Sequence, residues 1–149
     1  MKEVVFSLVL AACAAQVVAA ESDSAIVDLI GLDIEQAYQK FGAPREVFPL
    51  RGEEPWHDDV VFYYDDSIYL FWFQNRVWQL RVDRRYRRSF FGLRMGMPRE
   101  DVSGLMGRPV QQMEDSDLYH LVDRGYPVRL RLVFRDGVLD DAYLYRADF

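Results

Sequence analysis

The sequence predicts an α+β domain in which two tandem repeats, each a helix plus three or four antiparallel strands, form one sheet with helices on one face. Two observations predict this fold. A helix pattern near residue 31 recurs near residue 96, and each copy precedes short strands with alternating apolar residues. With 149 residues, half of them hydrophobic, the chain can form one domain core and a leader.

The two helix patterns, residues 31–44 and 96–109, align without a gap. Asp33 is a residue type that caps helix N-termini, because its carboxylate accepts hydrogen bonds from free backbone N–H groups. Gly42 and Gly107 occur where each helix needs a left-handed residue to end, and a proline follows each of them. Both patterns therefore predict short helices with the same stop signal.

Three strands are predicted after each helix. Their residues are 60–64, 67–74 and 77–82 in the first copy, and 118–122, 128–134 and 139–145 in the second. Asp136-Gly137 is a strong hairpin signal, and Asn75-Arg76 is taken as its weaker counterpart in the first copy. A further short helix is predicted from Ser24 to Leu29.

One face of such a sheet has no helix to cover it, and we expect function there. Alternation on residues 128–135 assigns Arg129 and Arg131 to this open face. Transferring this alternation to the first copy by repeat register places Tyr69, Phe71 and Phe73 in the core. It places Ile68, Leu70, Trp72 and Gln74 on the open face, and Val77, Gln79 and Arg81 join them across the predicted turn. The predicted protein-binding residues are Trp72, Gln74, Gln79, Arg81, Arg129 and Arg131, with Val77 beside them. Replacing Trp72 by alanine is accordingly expected to weaken binding and leave folding intact.

Residues 1–20 have the composition of a secretion leader, with an apolar run and no charge between Glu3 and Glu21. The sequence ending at Cys13 resembles a bacterial lipobox, which would attach a lipid to that cysteine. Cleavage after Ala20 by an ordinary signal peptidase is the alternative. Beyond the leader we expect one repeat at 21–83, a basic linker at 84–90 and the other repeat at 91–149, without disulfides because Cys13 is the only cysteine.

The segment from Leu93 to Pro109 resembles the "G-M-T-x-x-x-V-x-x-L-x-G-x-P" signature of the SmpA/BamE (OmlA) outer-membrane lipoproteins. Its matching residues are Gly96, Met97, Val102, Leu105, Gly107 and Pro109. The tandem arrangement resembles that of beta-lactamase inhibitor proteins, which contain two such units. The resemblance implies an envelope protein that binds another protein. Lactamase inhibition itself is not expected, because the cysteines that stabilise the inhibitor's repeats have no counterparts here.

Catalytic and metal chemistry has little support in the sequence. His57 beside Asp58 and Asp59 is the best metal candidate, but adjacent residues point in different directions and no second histidine has ligand spacing. We predict no catalytic residues, no metal and no cofactor. The net charge of −6 disfavours nucleic acid. The basic run Arg81–Arg88 is interpreted as a solvated linker, with contact to anionic lipid as the alternative.

Three functions follow from these observations. The preferred one is a periplasmic or lipid-anchored scaffold that binds another envelope protein through the open sheet face. The second is a small-ligand or metal carrier, or an enzyme, with a pocket between the repeats that uses His57, the acidic loop or Arg84 to Arg88. The third is a structural lipoprotein that associates only with itself.

Overall fold

The computed structural model describes residues 25–53 and 58–148. It has helices α1 (Ile34–Phe41) and α2 (Arg99–Met106), and the strands are β1 (Glu46–Leu50), β2 (Asp59–Tyr64), β3 (Ile68–Phe73), β4 (Arg76–Asp83), β5 (Gln111–Gln112), β6 (Ser116–His120), β7 (Val128–Arg135) and β8 (Val138–Arg146). They form one antiparallel sheet in the order β1-β2-β3-β4-β8-β7-β6-β5. The predicted α+β class is confirmed.

Each half of the sheet follows one helix and has four strands. Six of the eight strands occur where alternation predicts them, within two residues at each end. The short outer strands β1 and β5 were not predicted. Pairing of β4 with β8, for instance Leu80 opposite Leu144, joins the two halves into a continuous sheet.

The predicted N-cap of α1 and the predicted ends of both helices are confirmed. Asp33 accepts a hydrogen bond from the backbone N–H of Gln36, and the Gln36 side chain accepts one from the backbone N–H of Asp33. This reciprocal capping box satisfies two backbone donors that the first turn would leave unpaired. Gly42 and Gly107 end the helices with φ of 74° and 77°, which residues other than glycine rarely adopt.

The core lies on one side of the sheet. Its centre is a cross-strand row of four leucines, each at most 1% exposed: Leu70, Leu80, Leu144 and Leu130. Ala37 of α1 and Val102 of α2 belong to the same buried cluster, so both helices pack on this side. The other side of the sheet is the open face.

The chain before α1 and the connection before α2 complete the core. Residues 25–27 are helical, as predicted for this segment, and Ile26 is buried. In the predicted basic linker, the arginines are exposed as predicted, but Tyr86 and Phe90 are buried in the core cluster, so the segment does not lie wholly in solvent. The predicted leader, including Cys13, lies outside the described residues. Over the described ranges, no helix is long and apolar enough to cross a membrane.

The predicted faces of β3 were inverted. Trp72 is 7% exposed and belongs to the core cluster together with Ile68 and Leu70. The cause is the position of the hairpin turn, which lies at Gln74 and Asn75, with φ of 47° and 63°, one residue before the predicted pair. A shift of one residue moves every side chain of a strand to the opposite face. Trp72 is therefore a core residue, and Gln74 lies in the turn instead of on the sheet face.

A β-bulge corrects a second assignment. Phe71 pairs with Gln79 and Trp72 pairs with Val77, which leaves Trp78 as the extra residue of β4. Val77, predicted to face outward, is fully buried in the core cluster. Beyond the bulge, Gln79 and Arg81 face outward as predicted, because they alternate with buried Leu80 and Val82.

Candidate functional site

A row of directly paired tyrosine and arginine side chains crosses five strands on the open face. From β2 to β7, the row consists of Tyr63, Tyr69, Arg81, Tyr143 and Arg131. The flanking residues on each strand belong to the core or point toward the helices, so alternation directs these five outward. We call them the Tyr/Arg row.

The side chains of the Tyr/Arg row stack against one another. The Tyr63 and Tyr69 ring centroids lie 4.8 Å apart, and the Cζ atom of Arg81 lies 5.0 Å from the Tyr69 centroid. On the other side of Arg81, its Cζ atom lies 5.7 Å from the ring centroid of Tyr143. The Cζ atom of Arg131 lies 4.9 Å from the same centroid. Cation–π attraction favours this alternation and orders side chains that would otherwise be mobile in water.

The charge of Arg81 is balanced within the domain. Its Nε donates a hydrogen bond of 2.7 Å to Oδ1 of Asp141, which lies on the neighbouring strand β8. Burial lowers the pKa of Arg81, but the hydrogen bond and charge of Asp141 more than compensate and raise it above the usual value. Arg81 therefore serves as a fixed part of the surface, with little free charge for a partner.

A second charged cluster adjoins the row at the end of β4. Asp83 accepts hydrogen bonds from Tyr69 Oη at 3.0 Å and from Arg85 Nη2 at 2.8 Å. Burial raises the pKa of Asp83, but the hydrogen bonds from Arg85 and Tyr69 outweigh burial and lower that pKa to about 2. This cluster anchors the hydroxyl of Tyr69 and so fixes one ring of the row.

We expect Asp83 to make the fold sensitive to acid. Because its folded-state pKa of about 2 lies below the ordinary aspartate value, the carboxylate stabilises the fold above about pH 4. That contribution is lost as the pH falls from about 4 toward 2. Urea unfolding at a series of pH values should show a smaller acid-induced loss of stability in Asp83→Asn than in the parent protein. Equal losses in both would contradict the assigned role.

Aromatic side chains dominate the first half of the open face. Trp78, the extra residue at the bulge, donates from Nε1 to Asp59 Oδ1 over 3.1 Å and is half-buried. Phe71 and Val61 pair on β3 and β2 and are buried. Phe73, on the same side of β3, is 36% exposed. The predicted tryptophan-bearing surface is therefore present, but its tryptophan is Trp78 instead of Trp72.

Four of the six predicted binding residues lie on the open face: Gln79, Arg81, Arg129 and Arg131. Sequence reasoning missed Tyr69, Tyr143 and Trp78. Tyr143 could have been found from the alternation of β8, where buried Ala142 and Leu144 flank it. Whether any of these residues contacts a partner stays a prediction.

The space between the two halves is apolar. The side chains that meet there include Ile26, Leu80, Val82, Phe90, Leu130 and Leu144, which pack as core. An open cleft of about 460 Å³ lies elsewhere, within the first half, and Lys40, Arg45, Asp65 and Asp66 line it. In the described ranges, no group of three or more His, Cys, Asp or Glu side chains could hold a metal ion. His57 lies outside these ranges.

The predicted basic run is partly paired with acids. Arg85 pairs with Asp83, and Arg88 Nη2 lies 2.6 Å from Asp66 Oδ2. Arg84 and Arg87 are exposed. These pairs agree with the interpretation of a charged surface segment, and contact with lipid stays a prediction.

Comparisons with known proteins bear on the fold. No protein-family model and no curated protein sequence matches the chain. Among solved structures, the chain is similar to an extracellular protein containing an SCP domain from Bacillus anthracis str. Ames, with a TM-score of 0.53 and 13% identity over 82% of this chain. It spans 45% of that protein's length. A candidate beta-lactamase inhibitor protein from Streptococcus mutans superposes with a TM-score of 0.31 at 15% identity, covering 79% of this chain and 83% of that one. At 13% identity, the first likeness supports the fold alone.

Proposed function

We propose that this chain is a non-enzymatic bacterial cell-envelope protein that binds another envelope protein through its open sheet face. The observation that carries the proposal is the Tyr/Arg row. In the described part of the chain, both helices pack on the opposite side and leave this row half-buried or exposed. Tyrosine and arginine are among the residues that contribute most to protein interfaces, and here stacking already orders them.

Ordering before binding matters for affinity. A flexible arginine or tyrosine loses rotamer freedom when a partner immobilises it, which weakens binding. In this domain Tyr69 is held by Asp83, and Arg81 is held by Asp141 and two rings. A surface of this kind resembles a preorganised interface more than a solvated sheet face.

The cellular location is part of the proposal. The apolar leader and the signature resemblance both favour export, and the lipobox ending at Cys13 favours a lipid anchor in the envelope. Palmitate labelling of cells that express the full chain tests the anchor. Label in the parent protein and none in Cys13→Ser supports it, whereas equal labelling or no labelling of either chain contradicts it.

Cross-linked pull-down from native envelopes tests the binding function. The variant Tyr143→Ala/Arg131→Ala removes two neighbouring side chains of the Tyr/Arg row. Because both are expected to be interface hot spots, we expect capture of the partner to be at least about thirtyfold weaker. The matched control is Tyr38→Ala/Arg108→Ala, which removes the same residue types from exposed positions. Tyr38 lies on α1, and Arg108 follows the end of α2. Equal capture by both variants, or greater loss in the control, contradicts the proposal.

A further inference from the structure

The second half of the open face carries positive charge that nothing in the described chain neutralises. Arg129 and Arg131 face outward from β7, and the ion pairs among the described residues include neither of them. By contrast, Arg81 and Arg135 on this face pair with Asp141 and Asp140. The chain as a whole carries a net charge of −6, so this pair of unneutralised arginines differs from the general charge of the protein.

The side chains directly across from these arginines are also free of carboxylates. Arg129 pairs with His120 of β6 and Tyr145 of β8, and Arg131 pairs with Leu118 and Tyr143. A partner that covered this face would remove both guanidinium groups from water. Burial of an unpaired charge is strongly unfavourable, so a partner that binds here must supply anions.

The two guanidinium groups are positioned before a partner arrives. Arg131 Cζ lies 4.9 Å from the ring centroid of Tyr143, and Arg129 Nη1 donates to the carbonyl oxygen of Val128 over 3.1 Å. The two residues are two positions apart on one strand, which separates their side-chain origins by about 7 Å. Alternate residues of an extended peptide have the same spacing.

We infer that the partner presents an acidic, extended protein segment to this half of the face, with carboxylates on alternate residues opposite Arg129 and Arg131. Apolar side chains of the same partner would then contact Trp78 and Phe73 in the first half. This inference rests on the proposed function and adds the chemistry of the partner. Two arginines are too few to drive binding to a nucleic acid through counterion release, so a peptide is favoured.

Selection from a random peptide library displayed on phage tests the inference with the full chain as bait. We expect enriched peptides with at least two acidic residues on alternate positions. Their affinity should fall more than about tenfold in Arg129→Glu/Arg131→Glu and fall with rising salt. The matched control is Arg84→Glu/Arg87→Glu, which reverses two exposed arginines beyond the end of β4, and should bind within about twofold of the parent.

The outcomes separate this inference from the proposed function. One outcome would be selected peptides that are not enriched in acidic residues, and that bind Tyr143→Ala weakly but bind Arg129→Glu/Arg131→Glu as well as the parent. This outcome would overturn the inference of an acidic partner and would leave the proposal of binding through the open face in place. Peptides that no open-face variant affects count against both. Competition by a short oligothymidylate at the same concentrations would overturn the peptide in favour of a nucleic acid.

Discussion

Replacing Trp72 with alanine is expected to destabilise the domain by about 3–5 kcal/mol. The indole is 7% exposed, its ring centroid lies 5.0 Å from that of Phe62, and it belongs to the core cluster with Val77. Alanine would remove most of these contacts and leave a cavity that neighbouring strands can fill only in part. Urea unfolding followed by far-ultraviolet circular dichroism measures the loss.

Trp78→Ala is the matched control, because it truncates the same residue type on the opposite face. Trp78 is half-buried and retains contact with water, so we expect less than half of the destabilisation of Trp72→Ala. A larger loss of stability in Trp78→Ala than in Trp72→Ala would mean that the two faces of the β3–β4 hairpin have been assigned the wrong way round.

Replacing Arg99 with alanine is expected to lower the free energy of unfolding by about 3–5 kcal/mol, because it leaves a buried carboxylate without its partner. Arg99 Nη2 lies 2.6 Å from Asp117 Oδ1, and the side chain of Asp117 is 0% exposed. The same guanidinium donates to the carbonyl oxygens of Glu114 and Met113 at 2.7 Å and lies 4.8 Å from the ring of Phe134. It thus ties the start of α2 to the β5–β6 hairpin.

Chemical unfolding of Arg99→Ala beside Arg94→Ala checks this role. Arg94 is an exposed arginine in the segment just before α2, and its removal should change the free energy of unfolding by less than about 0.5 kcal/mol. A loss below about 1 kcal/mol in Arg99→Ala would show that Asp117 is satisfied by other groups.

The sequence predicted the elements well because their signals are local. Asp33, Gly42 and Gly107 act on backbone groups within one helical turn, so their effect can be read without tertiary structure. Asp136-Gly137 forms the turn between β7 and β8, with φ of 53° and 77°, as its residue types predict.

The faces of β3 were mispredicted because the turn between β3 and β4 contains a residue type that is unfavourable in such a turn. Gln74 adopts φ of 47°, a conformation that glutamine rarely takes, so residue preference pointed to Asn75-Arg76 instead. Tertiary packing determined the turn, because burial of Leu70 and Trp72 in the core requires the observed register.

The Tyr/Arg row could not be assembled from the sequence. Alternation predicts which way Arg81 and Tyr143 point, but these residues are 62 positions apart in the sequence, and their contact depends on the pairing of β4 with β8. The same holds for the Arg81–Asp141 ion pair, which neutralises one predicted binding residue. Sequence patterns predicted that the sheet has an open face, and the order of the strands decides which charged residues on that face have an ion-pair partner.

Photo-cross-linking in intact cells tests face binding most directly. A photoreactive phenylalanine analogue replaces Gln79, which lies on the open face beside the Tyr/Arg row, or Tyr38, which is exposed on α1. We predict that illumination yields a covalent adduct with one envelope protein from position 79 and none from position 38. An adduct from position 38 alone would contradict the claim that the open face is the binding surface.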